Sequence, residues 1–198
     1  EIASRADPSD SDGDGISGRF NTDGQGNMGR FGFKAQANFL EAFLRGAINN
    51  QMGITTDPFY GSSGIVSTGF MQVGASFDTP TTDNDAVADP EISVGDFGDI
   101  VVFSQFVAPP PKGEMGAEEF LGEQIFTDLG CVKCHTPEIQ SGFGPLAAYS
   151  DLLLHDMGPE LADGISMGMP QFSPISPNTT GSEYRTQPLW GVRLHGPW

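Results

Sequence analysis

The chain has 198 residues, enough for one domain with a sizeable core or for two small ones. Nine basic against 26 acidic residues give a formal net charge of −17. That charge argues against nucleic acid and anionic membrane surfaces as partners; it suits a basic redox protein or bound cations, and it also serves solubility alone. No apolar run approaches the roughly 18 residues of a helical membrane span, and the opening EIASRADPSD has no signal-peptide pattern.

In chain order, residues 1–30 are rich in Asp and Gly and read as an ordered loop. Within DSDGDGISGRFN (10–21), Asp10, Asp12 and Asp14 alternate and Gly15 follows, as at the start of an EF-hand loop. The twelfth position is Asn21 instead of the usual bidentate Glu. Asp10, Asp12, Asp14 and Asn21 are therefore candidate calcium ligands, with a solvated acidic turn as the alternative.

NFLEAFLRGAINN (38–50) predicts an amphipathic helix, with Asn38 as cap, Glu41 at the capping-box position, and Phe39, Leu40, Phe43, Leu44, Ala47 and Ile48 on one face. Residues 61–90, rich in Gly, Ser, Thr and Asp, predict a long excursion with at most short strands. ISVGDFGDIVVFSQFVA (92–108) predicts a second helix with Ser93 as N-cap. PPPKG (109–113) stops it and forms a stiff linker, the expected main boundary. A third helix is expected at about 115–129, and residues 136–198 carry few helical signals beyond a short turn near 150–156.

Between the third helix and that tail stands GCVKCHTPEI (130–139). Cys131, Cys134 and His135 form C-x-x-C-H, the pattern of c-type haem attachment. Two thiols bond the vinyl groups, and the adjoining imidazole reaches the iron as proximal ligand. A redox dithiol or half a zinc site uses the same C-x-x-C, but zinc needs two more ligands and only His155 and His195 remain. Both cysteines are consumed, leaving none for a disulfide. Attached haem c implies a periplasmic or extracellular location. For the far side of the iron, SDLLLHDMGPELADG (150–164) offers His155 and Met157, Met157 being the preferred distal candidate. A hydrogen-bonding His and a packing Met account for the same residues.

DSDGDGISGRFN, GRFGFKAQ, NNQMGIT, DPEIS, FVAPPPKG, GCVKCHTP, YSDLLLHDMGPELADG and GSEYRTQPLWGVRLHGPW occur in the order found in the di-haem oxidoreductase family. Its members are described as peroxidases or thiol oxidoreductases and are related to the bacterial di-haem cytochrome c peroxidases. The resemblance runs along nearly the whole chain outside 61–88. It implies a mostly α, loop-rich fold of cytochrome c-like domains of the di-haem peroxidase type. Residues 1–108 would be the back half of a first domain, and 114–198 a second domain carrying one haem and lacking its last helix. The chain would then be the centre of a longer di-haem protein, with the missing parts or further cytochrome subunits as partners.

The resemblance further implies a calcium ion between two haems, held here by the backbone carbonyls of His195 and Pro197. Where the peroxidases place a Gln and a Glu on the peroxide face, this chain has Ala42 and Gln51. Gln hydrogen-bonds but transfers no proton as an acid or base. The expected function is one-electron transfer through haem c in a di-haem oxidoreductase or larger cytochrome assembly. The alternatives are a periplasmic di-haem peroxidase reducing hydrogen peroxide, and a non-catalytic haem-relay or calcium-ordered subunit of an extracellular assembly.

Overall fold

A chain with 27 glycines and 15 prolines is cut into short elements, because both residues interrupt helices and strands. The computed structural model describes residues 1–22, 27–56, 59–61, 64–66, 86–87, 90–166 and 179–194. Among the described residues, three α-helices overlap the expected spans: α1 (Leu40–Met52), which starts two residues after the expected cap Asn38, α2 (Val94–Phe106), capped by Ser93, and α3 (Ala117–Asp128). Six three-residue strands, likewise among the described residues, form three antiparallel pairs: β1 (Phe59–Gly61) with β2 (Gly64–Val66), β3 (Ile139–Ser141) with β4 (Gly144–Leu146), and β5 (Leu154–Asp156) with β6 (Glu183–Arg185).

This corrects the expected fold class. The described residues are not a mostly α cytochrome c fold: three helices of 12 or 13 residues stand among short paired strands and irregular chain. The reason lies in the Pro- and Gly-rich connections, which satisfy their backbone groups through turns and two-strand ladders. The turn expected near 150–156 is instead strand β5, whose Leu154 pairs with Arg185.

Caps fix the helix ends. Ser93 Oγ accepts from Asp96 N–H at 3.1 Å and opens α2. Glu41 reaches forward to Arg45 at 2.8 Å, and the Arg45 guanidinium lies 4.1 Å over the buried Phe97 ring, joining α1 to α2. In α3, Glu119 accepts from Gly116 N–H at 2.9 Å. Gly130, at φ +79°, terminates α3 and turns the chain into the C-x-x-C-H segment. A Cβ at Gly130 would meet only Lys133 side-chain atoms at 3.8 Å, so the left-handed backbone alone penalises a side chain there.

The apolar core is small: Ala35, Ala37, Ala42, Ile48, Phe97, Ile139, Ala148, Leu153 and Leu154 among the described residues. Buried polar groups carry much of the rest, and many join distant parts of the chain. Arg19 pairs with Leu154 through two backbone hydrogen bonds, and its guanidinium binds Glu183, Nη2 to Oε2 at 2.7 Å. Burial pushes the Glu183 carboxyl up, but Arg19 and the Thr180 N–H bring it below its ordinary range. On the other edge, Arg185 N–H donates to Phe33 O and its Nε to Gly32 O. Lys34 is 2% exposed, and its Nζ donates to Asp163 at 3.2 Å and Gly181 O at 3.1 Å, 3.7 Å from the centre of the Tyr184 ring.

Two stability predictions follow from this packing. Gly130→Ala should cost about 1–2 kcal/mol in urea unfolding, the left-handed backbone penalty; unchanged stability would mean that the turn relaxes freely. Lys34→Met keeps the aliphatic stem but leaves the Thr180 and Gly181 carbonyls without their donor, while the exposed Asp163 stays solvated. It should lower the melting temperature by several degrees through those carbonyls. A melt within 1 °C of wild type would reject that role.

Candidate functional site

The segment after Gly130 closes as a tight turn, Cys131–Lys133, in which His135 N–H donates to Cys131 O at 2.9 Å. Cys131 and Cys134 are free thiols, each half-buried. Residues 149–151 run alongside, donating from Asp151, Ser150 and Tyr149 N–H to the carbonyls of Cys134, Thr136 and Pro137. Those bonds hold the C-x-x-C-H turn at a fixed orientation.

The His135 ring is set by Tyr149. Tyr149 takes φ +50°, rare for an aromatic residue, and its carbonyl accepts from His135 Nδ1 at 2.8 Å. A carbonyl is acceptor only, so Nδ1 carries the proton and Nε2 keeps its lone pair, the tautomer a metal ligand needs. The Tyr149 side chain explains why the unusual backbone holds. Its hydroxyl donates to Glu123 of α3 at 3.2 Å, and its ring meets Phe126 edge-on at 6.0 Å. Phe126 in turn stands 6.2 Å from the His135 ring. Gly122 and Phe126, one turn apart on α3, are thus on the helix that packs against the motif.

This donor set fits covalent haem. Two thiols and one oriented imidazole share a single turn, and α3 leaves Phe120, Leu121, Ile125 and Leu129 exposed just before it. A zinc site fits poorly: among the described residues no set of three from His, Cys, Asp and Glu gathers around the thiols.

His155 is nearly buried, and both its ring nitrogens are engaged. Nε2 lies 2.8 Å from Asp151 Oδ2, and Nδ1 lies 2.9 Å from Ser17 O and 3.8 Å from Cys134 Sγ. It is therefore a hydrogen-bonding residue of the motif's surroundings, with no nitrogen left for a metal. Met157, at the end of β5, is half exposed, and its N–H donates to Ser182 O. Asp10, Asp12 and Asp14 do come together, one carboxylate oxygen of each within 4.8 Å of the others. Lys133, inside the C-x-x-C-H motif, donates to Asp14 O at 2.9 Å and pairs with its carboxylate at 3.2 Å. Asn21 is fully buried, its amide donating to Lys34 O and accepting from Thr22 N–H. His195 and Pro197, the backbone calcium candidates, lie outside the described residues.

Sequence reading missed Tyr149, Asp151 and Gly18 as parts of this site. An Asp and a His flanking the apolar LLL of 152–154 were the available signal, since charged groups inside an apolar run need partners when buried.

Burial pushes the His155 pKa down, but the bonds to Asp151 and Cys134 outweigh it and raise it from 6.5 to about 10 in the free-thiol chain. A raised pKa in the folded state stabilises fully below the unfolded value, and that stabilisation fades as pH rises through about 10. Melting temperatures between pH 6.5 and 10 should therefore fall more steeply for the wild-type chain than for His155→Gln. Parallel curves would show that His155 gains no proton affinity on folding.

The family described as "Di-haem oxidoreductase, putative peroxidase" matches residues 1–196. No curated protein and no solved structure matches the chain.

Proposed function

Because the chain belongs to the di-haem oxidoreductase family, we propose that it carries one haem c on Cys131 and Cys134, with His135 as proximal ligand, and serves one-electron transfer. The observation that carries this reading is the His135 Nδ1–Tyr149 O hydrogen bond at 2.8 Å, which aims a basic Nε2 away from the backbone beside two free thiols. When bound, haem supplies a reversible one-electron couple whose potential depends on axial ligands, burial and hydrogen bonds. The chain's own residues do the remaining work. Tyr149 fixes the imidazole tautomer, Phe126 buttresses the ring, and the 134–137 to 149–151 ladder keeps the attachment turn rigid.

The family description favours a second reading, peroxide reduction. The residues at the corresponding stretch do not support it in this chain: Ala42 is buried and apolar, and Gln51 is exposed and cannot deliver a proton. A periplasmic or extracellular setting, with a basic redox protein or further haem subunits as partner, suits both the covalent haem and the charge of −17.

Intact mass of the native protein should exceed the chain by one haem, and colour should stay with the denatured protein on a gel. Extraction of all colour into acid acetone would reject covalent attachment. Cys131→Ala and Cys134→Ala should each weaken retention, since each thioether is a separate bond. Peroxide-dependent oxidation of a reduced donor should stay near the rate of free haem; turnover far above it would replace electron transfer by the peroxidase reading.

A further inference from the structure

The Cys134 sulfur has an unusual neighbour. The His155 ring is 7% exposed and lies between two oxygens that only accept, Asp151 Oδ2 at 2.8 Å and Ser17 O at 2.9 Å. The other Asp151 oxygen accepts from Leu153 N–H at 2.9 Å, so the carboxylate is held with Oδ2 facing the ring as an acceptor. Both ring nitrogens must therefore carry protons. A neutral tautomer would press a bare nitrogen lone pair against an oxygen lone pair in a buried site, losing a hydrogen bond there. The pair is also asymmetric about the sulfur. The Nδ1 edge faces Cys134 Sγ at 3.8 Å, and the carboxylate lies on the opposite edge of the ring. Gly18 makes this approach feasible, because a Cβ there would stand 2.8 Å from His155 Cε1.

We infer that His155 is a positioning residue that holds a fixed positive charge against the Cys134 sulfur and so raises the reduction potential of the haem attached there. The inference rests on the haem c reading above. The step concerned is uptake of one electron from a reduced redox protein, the iron passing from ferric to ferrous with no bond made or broken and no proton moved. A nearby positive charge favours the state with the extra electron. Burial keeps that charge from being screened by salt, unlike charges on the surface.

The test uses the full haem-loaded chain and redox titration of wild type and His155→Gln. Gln keeps hydrogen-bond donors but removes the charge. The reduction equilibrium should fall at least tenfold, about 59 mV for one electron, while the absorption spectrum stays that of wild type. Gly18→Ala, which displaces the ring, should move the potential in the same direction. An unmoved potential in His155→Gln overturns the inference. Should His155→Gln fail to fold, 15N NMR of histidine-labelled wild type decides: two protonated ring nitrogens support it, and one bare nitrogen overturns it. Intact mass of the same samples keeps the two readings apart. No haem adduct sinks the haem c reading and this inference with it, whereas an adduct with an unmoved potential sinks only the inference.

Discussion

A buried or half-buried polar side chain must be met by partners, and in this protein the partners come from distant parts of the chain. His155 takes Ser17 O, Arg19 takes Glu183, and Lys34 takes Asp163 and Gly181 O. Each bond ties residues 17–34 to residues 151–185. The apolar core cannot do this alone, since among the described residues it has nine buried members and four of them are Ala. Breaking one member of a buried pair costs more than the pair contributes, because the survivor stays desolvated. The folded arrangement is therefore specific: a shift of one segment would strand several charges together.

The attachment turn inherits its rigidity from this polar frame. Asp151 both donates its N–H to Cys134 O and accepts from His155, so one residue links the C-x-x-C-H turn to the buried imidazole. Tyr149, two residues earlier, pays backbone strain at φ +50° and is held there by Glu123 and Phe126 of α3. Strain at that position aims a carbonyl at His135 that an ordinary extended residue would direct elsewhere. The site thus has three anchors: the helix before it, the ladder beside it, and the N-terminal loop through Lys133 and Ser17.

Local features were legible in the sequence because their causes are local. Ser93 three residues before Asp96, and C-x-x-C-H, each act within a few positions. The failures have a common physical source. Glu183 and Arg19 are 164 positions apart, and no composition rule pairs them. Strand β5 exists because β6 and Arg19 satisfy its backbone, so LLLH alone does not announce it. The mostly α expectation weighed three sound helices and gave too little weight to the Gly and Pro between them. The left-handed Tyr149 has no residue-level signature at all, since only its neighbours make that conformation tolerable.

The two kinds of charge in this molecule act over different ranges. The surplus of 17 negative charges on the chain acts, where it is on the surface, within a screening length of about 8 Å at physiological salt. The Asp151–His155 pair is almost free of solvent and is screened far less. On the proposed haem reading, exposed carboxylates act on electron uptake through solvent, whereas the His155 ring faces Cys134 Sγ at 3.8 Å from a nearly solvent-free position. The two sets of charge meet at the motif itself, because the part-exposed carboxylates of Asp14 and Glu123 hold Lys133 and Tyr149, while the buried Asp151 holds His155.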